Sequence, residues 1–173
     1  MNVHLQQSLL IKKISVKDSV RHMQVSSNEW ELLKPISSLR TLITHSENND
    51  IMGIKLMSLR VLQCPCPSII HNQLINTVHL RYLDISMSNI IRLPDPVCSL
   101  YNLQSLRLNY CRKLQYLPEG MATSSRKFSH IYLFGCDELE RMPPKIGLLH
   151  NLHTLTKFIV GTGDGFGIKE LKT

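Results

Sequence analysis

The stretch Leu80-Arg-Tyr-Leu83-Asp-Ile85-Ser-Met-Ser-Asn-Ile90 decides how this chain folds. Aliphatic residues stand at its first, fourth, sixth and eleventh positions, and a small polar residue stands at the ninth. Leu83 and Ile85 flank the single residue Asp84, and alternation of this kind indicates a short strand with one buried face. A Leu-Pro pair follows at Leu93-Pro94, and proline has no amide hydrogen to offer a ladder of hydrogen bonds. The stretch therefore predicts a strand followed by a turn.

The same phrase recurs along the chain. An apolar residue, two further residues and another apolar residue open it six times, at Leu39-Arg-Thr-Leu42, Leu59-Arg-Val-Leu62, Leu80-Arg-Tyr-Leu83, Leu103-Gln-Ser-Leu106, Phe128-Ser-His-Ile131 and Leu152-His-Thr-Leu155. Successive starting points lie 20, 21, 23, 25 and 24 residues apart. A period of roughly 20 to 29 residues with the pattern L-x-x-L-x-L-x-x-N/C-x-L is the signature of leucine-rich repeats. We therefore predict an α/β fold, a leucine-rich-repeat solenoid of about six repeats.

Each repeat is expected to place its strand in a curved parallel sheet on the concave side. Connecting segments such as Val97-Cys-Ser-Leu100 are too short for long helices, so loops and short helical turns should form the convex side. Cys111 and Cys136 stand at the ninth position of their repeats and should point inward, where a thiol can meet backbone carbonyls of the turn. The odd count of five cysteines and the lack of a recognisable secretory signal favour reduced thiols over a disulfide between these two.

The chain divides into three predicted parts, which are an N-terminal capping segment (1–35), the leucine-rich repeats (36–160), and a flexible linker with the truncated start of a further segment (161–173). A capping segment is expected because the open end of a repeat stack exposes apolar interior. Within it, residues 11–16 and 20–25 alternate apolar with polar and predict half-buried strands, and residues 28–34 predict a short helical turn.

Composition narrows the classes of function. The formal net charge is +7, but Lys and Arg are scattered with no run of five, so we interpret the charge as a solvated surface and keep nucleic-acid binding only as an alternative. No unbroken apolar stretch reaches the roughly 18 residues of a membrane span, so we expect no membrane partner. With the cysteine usage, this predicts a protein of the cytoplasm or, alternatively, the nucleus.

The sequence offers no constellation for catalysis, metal or cofactor. Cys64 and Cys66 lack the spacing and the second pair of a zinc site, and we expect Cys64 in the repeat core. The glycines between Gly161 and Gly167 alternate too strictly for a dinucleotide fingerprint, and no G-x-x-x-x-G-K-[ST] occurs. The eight histidines form no H-E-x-x-H, and no G-x-S-x-G is present. We therefore predict a chain that is not an enzyme and needs no cofactor.

The register fixes which residues face outward on the concave side. Exposed Tyr and Arg on a rigid sheet are typical anchors of protein interfaces, and such residues recur in the third to fifth repeats. The candidate partner-binding residues are Tyr82, Asp84, Ser86, Ser105, Arg107, Asn109, His130, Tyr132 and Phe134. The alternative is that these side chains pack against one another and bind nothing, since scattered exposed aromatics are ordinary.

Three longer phrases go beyond a generic repeat. They are Leu80-Arg-Tyr-Leu-Asp-Ile-Ser-Met-Ser-Asn-Ile-Ile-Arg-Leu-Pro94, Leu100-Tyr-Asn-Leu-Gln-Ser-Leu-Arg-Leu-Asn-Tyr-Cys-Arg-Lys-Leu-Gln-Tyr-Leu-Pro118 and Met142-Pro-Pro-Lys-Ile-Gly-Leu-Leu-His-Asn-Leu-His-Thr-Leu-Thr-Lys-Phe-Ile-Val-Gly161. Together they resemble the leucine-rich-repeat region of plant coiled-coil nucleotide-binding disease-resistance proteins, and the resemblance covers residues 20–173.

The resemblance implies a protein-recognition module of an intracellular immune receptor. Its partners would be a pathogen effector, a guarded host protein, or the nucleotide-binding domain of a receptor. The sequence contains neither a nucleotide-binding domain nor a coiled coil, so we expect a truncated repeat region without its own nucleotide switch. Two alternatives stay open, a receptor gene fragment that binds nothing in particular and a basic module that binds nucleic acid.

Overall fold

The computed structural model describes residues 20–25, 37–45, 56–65, 77–124, 127–161 and 167. Within these residues seven short strands pair in chain order, all parallel, into one sheet. The strands are β1 (His22–Val25), β2 (Thr41–Thr44), β3 (Val61–Gln63), β4 (Tyr82–Asp84), β5 (Ser105–Arg107), β6 (His130–Tyr132) and β7 (Thr154–Leu155). This is a leucine-rich-repeat solenoid, and the predicted fold class is confirmed.

The period of the sequence appears directly as the register of the sheet. Leu83 pairs with Leu106, and Leu106 pairs with Ile131, as the repeat predicts. All three side chains are fully buried. Full burial of such a side chain contributes roughly 1.5–3 kcal/mol before conformational entropy is counted. No repeat covers these side chains alone, so each rung depends on its neighbours.

Short helical segments lie between β4 and β5, β5 and β6, and β6 and β7, as predicted for the convex side. A 3₁₀ helix spans Asp95–Ser99, a second spans Ile146–Leu148, and a four-residue α-helix, α1, spans Met121–Ser124. Helix α1 packs against both 3₁₀ helices. Val97 and Met121 turn fully buried side chains into the core.

A second parallel ladder runs just before the Leu-Pro pairs, which the sequence did not predict. Arg92 and Tyr116 form a parallel β-bridge, and the amide of Leu93 donates to the carbonyl of Tyr116 over 3.1 Å. The amide of Gln115 donates to the carbonyl of Ile91 over 2.7 Å, and the carbonyl of Gln115 accepts from the amide of Glu140 over 3.1 Å. The prolines have no amide hydrogen with which to continue this ladder. The residues before them join adjacent repeats through a second row of backbone hydrogen bonds.

The buried cysteines bond to the neighbouring repeat. The Cys111 thiol donates to the carbonyl of Ile85 over 3.3 Å, and Ser88 lies 3.3 Å from the same sulfur. Cys111 and Cys136 are free and buried. The prediction of an inward thiol bonded to backbone carbonyl is confirmed, with one correction. The acceptor belongs to the preceding repeat and not to the turn of the same repeat.

Part of the predicted capping segment is described. Strand β1 falls within the predicted strand at residues 20–25, and it pairs with β2 from His22–Thr41 to Val25–Thr44. The predicted strand at 11–16 and the helical turn at 28–34 lie outside the described residues. The predicted linker at 161–173 also lies outside them, apart from Gly161 and Gly167. The division into three parts stays a prediction.

Candidate binding surface on the concave face

Strands β4, β5 and β6 bring the nine predicted partner-binding residues onto three neighbouring rungs. The paired positions are Tyr82, Ser105 and His130 on one line and Asp84, Arg107 and Tyr132 on the next. The remaining three, Ser86, Asn109 and Phe134, each follow their strand by two residues and lie at its turn. The concave face is the surface formed by these nine residues.

Arg107 is held between the hydroxyl of one tyrosine and the ring of another. Its Nη1 donates a hydrogen bond to the hydroxyl oxygen of Tyr82 over 3.4 Å. On the other side, its guanidinium carbon lies 5.1 Å from the centre of the Tyr132 ring, within the range of a cation–π interaction. Contacts on both sides reduce the side-chain entropy that Arg107 would lose when a partner binds.

The same contacts shift the pKa values of Tyr82 and Arg107. Burial, opposed by the hydrogen bond from Arg107, raises the pKa of Tyr82 above its usual value of 10.0. The hydrogen bond to Tyr82 is the largest influence that raises the pKa of Arg107. Tyr82 is therefore a neutral donor and Arg107 a cation throughout the physiological pH range.

Asp84 differs from the prediction that it faces solvent, because it is only 7% exposed. One carboxylate oxygen, Oδ2, accepts from the Tyr82 hydroxyl over 3.2 Å, and the other, Oδ1, accepts from the Ser86 amide over 3.0 Å. A buried carboxylate needs such partners to offset lost hydration. Asp84 therefore orients Tyr82 and the turn that follows β4.

Several other predicted residues also hold the surface in shape. The Asn109 side-chain oxygen accepts from the Phe134 amide over 3.1 Å, so Asn109 fixes the turn of the next repeat. The rings of His130 and Tyr132 stack with centroids 6.2 Å apart. His130 Nδ1 also lies 3.0 Å from the hydroxyl of Thr154 on β7. Among the nine residues, Phe134 at its turn stays exposed and Arg107 is half-exposed.

The turns after the strands display apolar side chains that are not among the nine predicted partner-binding residues. Met87 and Tyr110 are 64% and 48% exposed, and they share the eighth position of the repeat with Gly135. All three have left-handed backbones, with φ of 63°, 61° and 71°. Tyr110 meets Phe134 edge to face, with ring centroids 5.4 Å apart. Gly135 is the sequence feature that could have indicated these left-handed turns. Glycine tolerates positive φ, and Gly135 stands at the repeat position that Met87 and Tyr110 share.

These turns border a groove across the concave face. Its volume is about 330 Å³, and it runs from His45 past Gln63 to Arg107 and Tyr110. Polar side chains line the groove together with Tyr110. The groove is large enough for one or two side chains of a partner protein.

Three further observations concern metal binding, membrane insertion and the reactivity of a thiol. Among the described residues no group of three His, Cys, Asp or Glu residues could hold a metal ion. In the same part of the chain, no helix is long and apolar enough to cross a membrane. Burial raises the pKa of the half-buried Cys98 thiol to about 11, which makes it a poor nucleophile at neutral pH.

Comparison with known proteins adds two partial relatives, and no family model matches the chain. The chain is 37% identical over 124 residues, 72% of its length, to a putative disease resistance protein of Arabidopsis thaliana. It is 32% identical, in an alignment 138 residues long that covers 70% of the chain, to adenylate cyclase of Schizosaccharomyces pombe. The chain spans 8% of the length of each. The first similarity supports a role related to immune receptors, and a match to so small a part of either protein does not carry that protein's activity to this chain.

Proposed function

We propose that this chain is a protein-recognition module that binds its partner through the concave face. The observation that carries the proposal is the position of Arg107, fixed between the Tyr82 hydroxyl and the Tyr132 ring. Arginine and tyrosine dominate the binding energy of protein interfaces, and groups already ordered before binding lose less entropy. A solenoid built from parallel rungs supplies the rigid frame that such anchors need.

The surroundings of Arg107 indicate the chemistry of the partner. The guanidinium favours a carboxylate, which it can bind with two parallel hydrogen bonds. The exposed Met87, Tyr110 and Phe134 lie at the adjoining turns and favour an apolar side chain. We infer a partner segment in which an acidic residue lies close to an aromatic or aliphatic one.

The biological setting we propose is plant intracellular immunity. The similarity to the Arabidopsis disease resistance protein supports this setting. The partner would be a pathogen effector, a host protein that effectors modify, or the nucleotide-binding domain of a receptor. The proposed compartment is the cytoplasm, with the nucleus as the alternative.

The test removes the anchors and compares the loss with a matched control. Arg107→Ala combined with Tyr132→Ala should leave the melting curve nearly unchanged, because both side chains lie on the surface of the sheet. The control is Tyr101→Ala combined with Arg112→Ala, which removes the same residue types from exposed positions outside the concave face. Proteins captured from a plant extract by the intact chain would then be purified and titrated against each variant.

We expect the concave-face variant to lose at least about 2 kcal/mol of binding free energy, the usual size of an interface hot spot. The control variant should bind as the intact chain does. Equal affinity for both variants would show that the concave face is not the interface. A chain that captures no specific protein would favour the alternative of a gene fragment without a partner.

A further inference from the structure

Four arginines occupy the same position in four successive repeats. Arg21, Arg40, Arg60 and Arg81 each immediately precede a strand, from β1 to β4. The amide of Arg40 donates to the carbonyl of Arg21 over 2.7 Å. The next two pairs, Arg60 to Arg40 and Arg81 to Arg60, are joined in the same way over 2.8 Å. The four residues, which we call the arginine ladder, therefore form a row across the N-terminal ends of β1 to β4. Neighbouring strands place them about 4.8 Å apart.

Negative charge is absent from the described residues around this ladder. Residues 20–25, 37–45, 56–65 and 77–83 contain four arginines and neither Asp nor Glu. The described acidic residues are Asp84, Asp95, Glu119, Asp137, Glu138 and Glu140. Arg21, Arg60 and Arg81 are exposed, and Arg40 is half-buried. Like charges on adjacent rungs destabilise a sheet, and a bound anion would remove that repulsion.

A groove of about 380 Å³ lies along the ladder. Its lining consists of Arg21, Arg40 and Arg60 together with Ser38, Ser58 and His79. Each of the last three stands two residues before an arginine of the ladder. The guanidinium groups, the Ser58 hydroxyl and the His79 imidazole can all donate hydrogen bonds to an anion, whereas the Ser38 hydroxyl donates to the Val20 carbonyl over 2.9 Å. The lining includes no aliphatic or aromatic hydrocarbon side chain, so the groove suits a ligand that is charged throughout.

We propose that the arginine ladder binds a small polyphosphorylated anion. Guanidinium forks match phosphate oxygens with paired hydrogen bonds. The spacing favours phosphate over an acidic peptide, because an extended peptide presents one carboxylate only every 6.8 Å or so on a given face, twice its rise per residue. Single-stranded nucleic acid fits less well, because the groove has no Phe, Tyr or Trp ring on which bases could stack. This site lies beside the concave face and does not depend on the protein partner proposed above.

The probe for this proposal is sodium tripolyphosphate, titrated into the full 173-residue chain by calorimetry. We expect saturable binding that weakens with added salt, because exposed charges are screened. Arg40→Glu with Arg60→Glu should weaken binding by at least about tenfold, because hydrogen bonds between charged groups are the strong ones. Arg40→Gln with Arg60→Gln should weaken it less but clearly, and melting curves check that both variants are folded.

The matched control is Arg112→Glu with Lys113→Glu, which changes the net charge equally at exposed positions away from the ladder. Binding by this control should stay within about twofold of the intact chain, since isolated surface charges contribute little. An equal loss in both charge-reversed variants would mean that net charge alone attracts the anion and would overturn the site. So would the absence of saturable binding, or tighter binding of a hexaglutamate peptide or an oligothymidylate than of tripolyphosphate.

Discussion

The Sγ atom of Cys136 donates a hydrogen bond to the carbonyl oxygen of Leu108 in the preceding repeat, over 3.0 Å. The same carbonyl also accepts from the amide of Cys111 over 3.1 Å. Cys136 is fully buried, so no water competes for the contact. The thiol therefore fixes the turn of one repeat against the strand end of the one before.

Replacement of this thiol tests its contribution to stability. Cys136→Ala should lower the free energy of unfolding by about 1–3 kcal/mol, because it removes a buried donor and leaves a small void. Cys136→Ser should lose less, since the hydroxyl can still donate. Urea denaturation measures both, with Asp137→Ala at the exposed neighbouring position as the control. A Cys136→Ala variant as stable as that control would mean that the hydrogen bond contributes nothing.

The same cysteine predicts a loss of stability at high pH. Burial raises the pKa of Cys136 from 9.0 to about 11, so the folded chain holds this proton more tightly than the unfolded chain. The resulting stability is fully present below pH 9 and is lost as the pH rises through about 11. Urea midpoints across this range should fall more steeply for the intact chain than for Cys136→Ser. Parallel curves for the two proteins would rule out this thiol as the cause.

The central rung tests the cooperativity of the stack. Leu106 is fully buried between Leu83 and Ile131, so Leu106→Ala should cost about 2–5 kcal/mol. Leu106→Asp should prevent folding, because a carboxylate at this position would have no partner. Thermal melting and limited proteolysis measure the effect, with Gln104→Ala at an exposed position as the control. An unchanged melting curve for Leu106→Asp would contradict the register.

Gly135 and Tyr110 should be coupled energetically. A Cβ atom on Gly135 would lie 2.7 Å from Cδ1 of Tyr110, and the backbone φ at Gly135 is +71°. Gly135→Ala should therefore destabilise the chain through both backbone strain, about 1–2 kcal/mol, and overlap with the ring. In a Tyr110→Ala background only the backbone part should remain. A double-mutant cycle by urea denaturation measures the difference, and strict additivity would exclude the steric contact.

The repeat period was sufficient to predict the rungs of the sheet. Leu83, Leu106 and Ile131 could be aligned from spacing alone, because each repeat meets only its neighbours and every repeat has the same inward positions. The burial of Asp84 could not be read in this way. It depends on the Tyr82 hydroxyl and on the conformation of the following turn, neither of which the period determines.

The arginine ladder shows why a charge pattern in sequence differs from one in space. A run of consecutive cations is the usual sign of a charged site in a sequence, whereas Arg40 and Arg60 lie 20 residues apart in the chain and on adjacent rungs of the sheet. The sequence carries this ladder as the same Leu-Arg pair immediately before β2, β3 and β4. In a repeat protein, charge is best counted by repeat position.

The left-handed turn shared by Met87, Tyr110 and Gly135 has a consequence for how this surface can change over time. The penalty for a side chain there arises in the backbone, at about 1–2 kcal/mol, and depends little on which ordinary residue is present. Substitution of one residue there can therefore exchange a thioether for a phenol without disturbing the leucine rungs beneath. Each repeat can diversify what it shows to other molecules as long as its turn still fits the side chain at the neighbouring turn, as Gly135 fits beside Tyr110.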